Sequence, residues 1–266
     1  MKSVLISAQQ EYQKKQLHRQ RIVLLWRFLL LLLFFSLWEI SADTGLIDAF
    51  IFSSPSGIGK TFWHMARDGS IFYHTGITLI ETVLSFGCVT LFSLLCALAL
   101  WRSRLLFDIL EPYLVILNSL PKSALAPLLL VWLGSNPRTI VVVAISIAVF
   151  GSILTLHTGF QETDADKIRL IYSLGGGKRE VLWKILLPSS IPLLISNMKV
   201  NVGLCLVGVI IGEFLAAKAG LGYLIIYSTQ VFKLDIVMMS IVILCLVSAL
   251  LYQMVSLLEE HMQKKP

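Results

Sequence analysis

Two lysines, Lys122 and Lys199, interrupt long apolar stretches of the chain. An ammonium near the centre of a membrane-spanning helix costs roughly 2.5–3.5 kcal/mol on insertion scales, so each lysine must be paired, face water or snorkel to an interface. A buried ion pair with Glu81 or Glu213 would make them structural. A basic, polar lining for an anionic solute would make them functional. Asn118 and Pro121 adjoin the first lysine and Asn197 and Asn201 flank the second, so the candidate path comprises Asn118, Pro121, Lys122, Asn197, Lys199 and Asn201. The chemistry in prospect is solute recognition rather than catalysis. The sequence has no H-E-x-x-H and no G-x-S-x-G, and its five histidines are dispersed near the ends of apolar runs. Four cysteines, Cys88, Cys96, Cys205 and Cys245, lie inside apolar stretches without CxxC spacing and read as small packing residues, not as a metal or redox site. Ser54 to Thr61, SPSGIGKT, has some letters of a phosphate-binding loop. Its first glycine is missing and no strand precedes it, so it reads as a loop entering a short helix.

The second feature that could do work is the polar interruption Asp164 to Pro188, DADKIRLIYSLGGGKREVLWKILLP. A helix-compatible stretch, Ala165 to Leu174, reaches Gly175-Gly176-Gly177, and a second, Lys178 to Leu186, runs to Leu187-Pro188. Glycine ends a helix cheaply because it accepts positive φ, and the proline is expected to mark the start of the next helix. The segment should form a knob on one side of a membrane.

The rest of the chain supplies that membrane anchorage. It has 266 residues, of which 56% are hydrophobic and only 14% charged, a balance that excludes an ordinary soluble domain. The net charge of +6 is spread around apolar spans rather than gathered in one run, which argues against nucleic acid. Six spans are predicted: 22–40, 76–101, 107–133, 139–157, 191–213 and 236–258. The first is expected to be uncleaved, behind a basic arm 1–21, and a polar tail 259–266 closes the chain. The third is cut by Asn118-Ser-Leu-Pro121-Lys122 and by Pro127, so a kinked or broken helix is expected, facing protein or water because lipid leaves backbone groups unsatisfied. Gly208 and Gly212 form G-x-x-x-G, which suits either packing within the chain or a seam between copies. With six spans the termini share a side, and Lys and Arg divide fourteen against five in favour of the side holding the termini and the knob. The positive-inside rule makes that side cytoplasmic.

At Gly175 a resemblance becomes specific. Gly175, nine residues, Ile185, one residue and Leu187-Pro188 reproduce the spacing of the cytoplasmic loop motif of ABC importer permeases. Leu37-Trp38-Glu39, the block from Pro121 to Pro127 with Trp132-Leu-Gly134, Gly212-Glu213 and Gly220-Leu-Gly222 extend the match over nearly the whole chain from Leu37. Together they resemble the branch that serves nitrate, aliphatic sulfonates and taurine. The resemblance implies an all-α fold of six transmembrane helices with a cytoplasmic coupling-helix loop, a type I importer permease occupying 22–258. It implies cytoplasmic ATP-binding subunits, an extracytoplasmic solute-binding protein, a second permease copy and no cofactor of its own, ATP being bound by the partner subunit. Coupling to the ATPase is implied for Arg169, Leu170, Ile171, Gly175, Ile185, Leu187 and Pro188. Where the family usually has Glu-Ala-Ala this chain has Arg169-Leu170-Ile171, so an acidic residue in the partner's groove is expected opposite Arg169. The alternative, a stand-alone channel or ion-coupled carrier, would need carboxylates in mid-membrane, and Glu81 and Glu213 lie near span ends.

Overall fold

A computed structural model describes residues 2–263; residue 1 and the last three residues of the predicted tail, 264–266, lie outside the described residues. The described chain is helical without strands, and it divides into two compact units, residues 1–63 and 64–266. In the first, α1 (Lys2–Asp43) runs without a break from the polar arm into the apolar stretch. The short α2 (Ala49–Phe52) and most of α3 (Pro55–Arg67), whose last residues fall in the second unit, follow. Ser54 Oγ accepts from the Gly57 amide at 3.1 Å, so the segment with phosphate-loop letters is the capped start of a helix. The amide of Ser56 donates to Glu39 at 2.9 Å, tying α1 to this cap.

The second unit is the bundle. Its elements are α4 (Ser70–Arg102), α5 (Arg104–Ser119), α6 (Lys122–Leu133), α7 (Pro137–Gln161), α8 (Ala165–Ser173), α9 (Lys178–Val181), a wide π turn (Leu182–Leu186), α10 (Leu187–Ser189), α11 (Ile191–Ala216), α12 (Leu221–Gln230) and α13 (Leu234–Gln263). Five described helices are long and apolar enough to cross a membrane, and six spans result when α5 and α6, bent by 95°, count as one broken span. The break falls where Pro121 and the polar run around Asn118 predict it. Pro121 has no amide to donate, and its φ of −65° with extended ψ ends one helix and starts the other.

The core forms where α7 meets α4 and α11. Val89, Ala148 and Cys205 fill one layer, and Ala97, Leu156, Phe160 and Leu186 another. Small residues set the spacing. A Cβ on Gly208 would stand 2.5 Å from the Ala144 Cα, and one on Gly212 would stand 3.1 Å from the Ile140 Cα. The G-x-x-x-G face of α11 is therefore buried against α7 of the same chain, which resolves the choice between internal packing and a seam between copies.

Candidate functional site

The knob builds itself from backbone motifs. Asp164 accepts from the Asp166 amide at 2.9 Å and starts α8. Gly175, at φ +82°, ends it, with its amide donating to Tyr172 O and the Gly176 amide donating to Ile171 O at 2.9 Å. This is the pair of bonds of a Schellman cap. The next helix is capped in the reverse sense, by Glu180 accepting from the Gly177 amide at 2.8 Å. Two backbone N–H groups, its own and that of Gly177, hold the Glu180 carboxyl below its ordinary pKa.

Pro188 does not start the next long helix, as the sequence suggested. It sits inside a helical run that continues from Lys178 to Ser189, and α11 begins at Ile191 with Pro192 in its first turn. A proline in a helix leaves the carbonyl four residues back without a donor. Here the chain widens into a π turn just before it, with the Leu187 amide donating to Leu182 O, and the helix proceeds.

Burial divides the knob. No residue of α8 is buried, whereas Val181 and Leu186 are fully enclosed and Leu186 packs on Ala97, Leu156 and Phe160. The second half of the knob is thus rooted in the bundle and the first projects from it. The projecting surface carries apolar side chains, Leu170, Tyr172, Leu174 and Trp183, beside exposed Arg169, Lys178 and Arg179. Arg169 reaches Asp166 at 3.5 Å with both side chains at least four-fifths exposed, a contact of little energetic weight. Ile185 and Leu187 are half-buried and Pro188 is exposed.

The path candidates separate into groups that no hydrogen bond links among the described residues. Asn197 and Asn201 are buried, and their side-chain amides both donate to Ser152 Oγ, at 2.7 and 2.9 Å. Ser152 donates in turn to Ser93 Oγ at 2.8 Å, and Ser93 to Val89 O at 2.6 Å, so each donor of this ladder finds an acceptor. The ladder ties α4, α7 and α11 through the centre of the bundle. Lys199 forms an ion pair with Glu259 and lies over the Tyr252 ring at 5.6 Å, against α13. Lys122, by contrast, donates to Asn118 Oδ1 at 3.0 Å and to Ile147 O at 2.7 Å, across the break in the third span. Neither lysine pairs with Glu81 or Glu213. The Lys122 partners are neutral, and an ammonium has three donors, so one donor and the whole positive charge remain available. Gly151 admits this arrangement, since a Cβ there would stand 3.1 Å from Asn118 Oδ1.

At the other end of the bundle is a polar cluster that sequence reasoning left unassembled. Glu213, 1% exposed, accepts from Thr78 Oγ1 at 2.7 Å and from the Gly222 amide at 2.5 Å. The Leu221 amide donates to Thr78 Oγ1 at 2.8 Å and the Gly220 amide to His74 Nδ1 at 3.0 Å. Side chains of α4 and α11 therefore satisfy the free amides that open α12, where a carboxylate also meets the positive end of the helix dipole. Glu81 stands within hydrogen-bonding reach of Glu213. The sequence signal was present in α4, where His74, Thr78, Thr82 and Ser85 fall at helical spacing on one face of an otherwise apolar span.

A helical bundle with five candidate membrane spans and a sixth that is broken, bearing a self-capped, projecting knob, is the architecture of a multi-pass membrane protein. Residues 89–264 match the family described as binding-protein-dependent transport system inner membrane component, and the chain belongs to that family. It is 29% identical over 81% of its length to a probable ABC transporter permease of Haemophilus influenzae, of which 87% is covered. The riboflavin transport system permease RibX of Chloroflexus aurantiacus is 27% identical over 87% of this chain and 85% of its own length. The taurine transport system permease TauC of Escherichia coli is 23% identical over 81% of this chain and 80% of its own. Among solved structures, a chain of the MetNI methionine ABC transporter, captured facing inward, superposes with a TM-score of 0.65 at 16% identity, covering 76% of this chain and 98% of that one. The fold is that of a type I importer permease, and the chain is the permease subunit of a binding-protein-dependent ABC importer.

Proposed function

We propose that the knob, 164–188, is the lever by which cytoplasmic ATP-binding subunits drive this permease, and that the solute passes the break at Asn118, Pro121 and Lys122. The observation that carries the reading is the knob itself. Its backbone is fixed by its own caps, its root is buried through Val181 and Leu186, and its tip offers exposed apolar side chains beside basic ones whose contacts within the knob are weak and solvent-exposed. A rigid element with an unspent contact face suits transmission of movement. The bias toward one state comes from a partner that binds the two states of the permease unequally.

The fourteen-to-five division of basic residues supports placing the knob and both termini in the cytoplasm, the permease domain being 22–258. The Glu213 end then faces outward, where a solute-binding protein would deliver its load. ATP binds to the partner subunit, this chain contributes no catalytic group, and a second copy of the permease completes the membrane pair. Lys122, with neutral partners only, favours a solute carrying an anionic group such as a sulfonate, and a taurine permease among the relatives agrees with that. A riboflavin permease among them shows that the scaffold is not restricted to one solute. Asn197, Asn201 and Lys199 are spent on other helices in this conformation and serve first as ties.

The test is ATPase activity in proteoliposomes of this chain with its ATP-binding subunit, comparing wild type with Gly175→Pro. Stimulation by loaded binding protein in the wild type, and its loss in the variant, supports the lever. Solute flux without any ATPase would remove the reading in favour of a channel or carrier. Lys122→Met should then lower transport while leaving assembly intact; unchanged transport takes Lys122 off the path.

A further inference from the structure

Two acids meet at the Glu213 end of the bundle. Glu213 is 1% exposed and Glu81 is 5% exposed, and their carboxyl groups are within hydrogen-bonding reach of each other. Among the described residues neither acid forms an ion pair with a basic side chain. An ionised carboxylate only accepts hydrogen bonds, so two of them in contact have no bond to make and repel each other. A hydrogen bond between the two requires a proton on one. Glu213 already accepts from Thr78 Oγ1 and from the Gly222 amide, the surroundings of an ionised carboxylate. Glu81 has no such donors, and its Oε2 has no partner, which leaves Glu81 as the member placed to donate.

The pair has a route to water. Glu81 lines a cavity of about 310 Å³, and Ser135 and Lys218 on the same wall are exposed. The other titratable groups nearby leave the pair to itself. His74, also on α4, accepts from the Gly220 amide at Nδ1 and stacks on Tyr223 of α12. Tyr73 of α4 and Lys218, on the turn between α11 and α12, belong to the cavity wall. Arg138, in the first turn of α7, is exposed and lies outside that wall, and α6, α12 and α13 place no charged side chain in it.

We propose that Glu81 and Glu213 form a proton-binding site: the two carboxyls hold one proton between them, and that proton clasps α4 to α11 and, through the Gly222 amide, to α12. Its loss to the water of the cavity would leave two buried negative charges in contact, so release loosens this end of the bundle. In the unfolded chain both residues are ordinary glutamates, ionised at pH 7. The folded chain then binds one proton more than the unfolded one, and its stability falls as the pH rises, the unfolding constant growing up to about tenfold per pH unit until the folded pair itself has let the proton go. The proposal goes beyond the importer reading and does not rest on it, since the ligand is a proton and no partner supplies it.

The experiment is infrared spectroscopy of the purified full chain at pH 7 in maltoside micelles, which carry no carbonyl of their own. Ordinary carboxyls are ionised there, so the carbonyl stretch of a neutral carboxyl reports a proton held by the fold. Wild type should show that stretch and Glu81→Gln should lack it. The glutamine amide is neutral, of the same shape and able to donate to Glu213, so the variant should keep the fold, which thermal melting checks. Melting from pH 6 to pH 9 gives the second readout: the wild-type melting temperature should fall with rising pH, and that of Glu81→Gln should fall by less. A wild type without the neutral-carboxyl stretch overturns the proposal. So does a stretch that persists unchanged in Glu81→Gln, which would put the proton elsewhere, or an equal pH dependence of melting in the two proteins, which would mean that the proton clasps nothing. Should the variant not fold, wild type alone decides: its stretch must be present at pH 7 and fade as the pH is raised, and a stretch that is absent or constant overturns the site. No ATPase is present, so either result leaves ATPase coupling to its own test.

Discussion

The two polar ends of the bundle solve the same problem in opposite ways. Both must satisfy helix-terminal backbone groups, at α8 and α9 in the knob and at α12 beside Glu213. The knob uses its own sequence: Gly175 and Gly176 close one helix, and Glu180 opens the next from three residues away. The Glu213 end uses side chains remote in sequence, since Thr78 reaches Leu221 across 143 positions and His74 reaches Gly220 across 146. Local capping leaves the knob's side chains free to meet another protein. Remote capping consumes side chains and locks three helices together. Substitutions should accordingly damage coupling at one end and folding at the other.

The largest effect is expected at Gly220. Its φ of +116° is strained for any L side chain, and a Cβ there would overlap the Glu213 carboxyl. Glu213 cannot move aside without releasing Thr78 and the Gly222 amide. Gly220→Ala should cost about 3 kcal/mol or more, from backbone strain and overpacking together. The check is thermal melting of the purified chain, with a wild-type melting temperature overturning the account.

At the knob, Gly176→Ala places a Cβ 2.6 Å from Ile171 Cγ2 and 3.0 Å from Ile171 O. The cost, about 1–3 kcal/mol, falls on the cap and not on the bundle, because α8 buries nothing. Melting of the bundle should stay near wild type while stimulation of the ATPase by loaded binding protein falls severalfold. A parallel loss of both would erase the contrast between the two ends.

Between the ends, Ser152→Ala removes the acceptor that two buried asparagines share. Polar ties between helices in membrane proteins average about 0.6 kcal/mol and reach about 1.7, so with two donors orphaned a loss of about 1–2 kcal/mol is expected. Ser152→Thr, which keeps the hydroxyl, should recover part of it if packing allows, and melting of both variants decides.

What was legible in the sequence follows the same division between local and remote. The spans, the broken third helix and the glycine-closed knob could be read because length, hydropathy, Pro121 and Gly175 act over a few residues. Pro188 was misread because a π turn is a compromise of the whole run from Lys178 to Ser189, not a property of the proline. The polar partners were the least legible. Lys199 finds Glu259, Lys122 finds a backbone carbonyl of α7, and Glu213 finds Thr78, choices fixed by which helices adjoin, and no local spacing encodes that. The stripe of polar residues on α4 marked a buried face without naming what it would meet.

The smallest effect separates charge from geometry within the knob. The Glu180 carboxyl is held below its ordinary 4.5 by its own amide and that of Gly177, aided by Lys184 and Arg179. Because the folded value is depressed, its contribution is fully present above the unfolded value and is lost as the pH falls through the folded one. Glu180→Gln keeps an acceptor oxygen and removes the charge. At pH 7 the amides of Gly177 and Lys178 should therefore be less protected from hydrogen exchange in the variant than in the wild type. On acidification below 4.5, the ordinary value for this carboxyl, wild-type protection should decline toward the variant's, which stays flat. Equal protection at pH 7 would mean that hydrogen-bond geometry alone caps this helix. A difference that persists in acid would mean that the side chain acts there by packing and not by its charge.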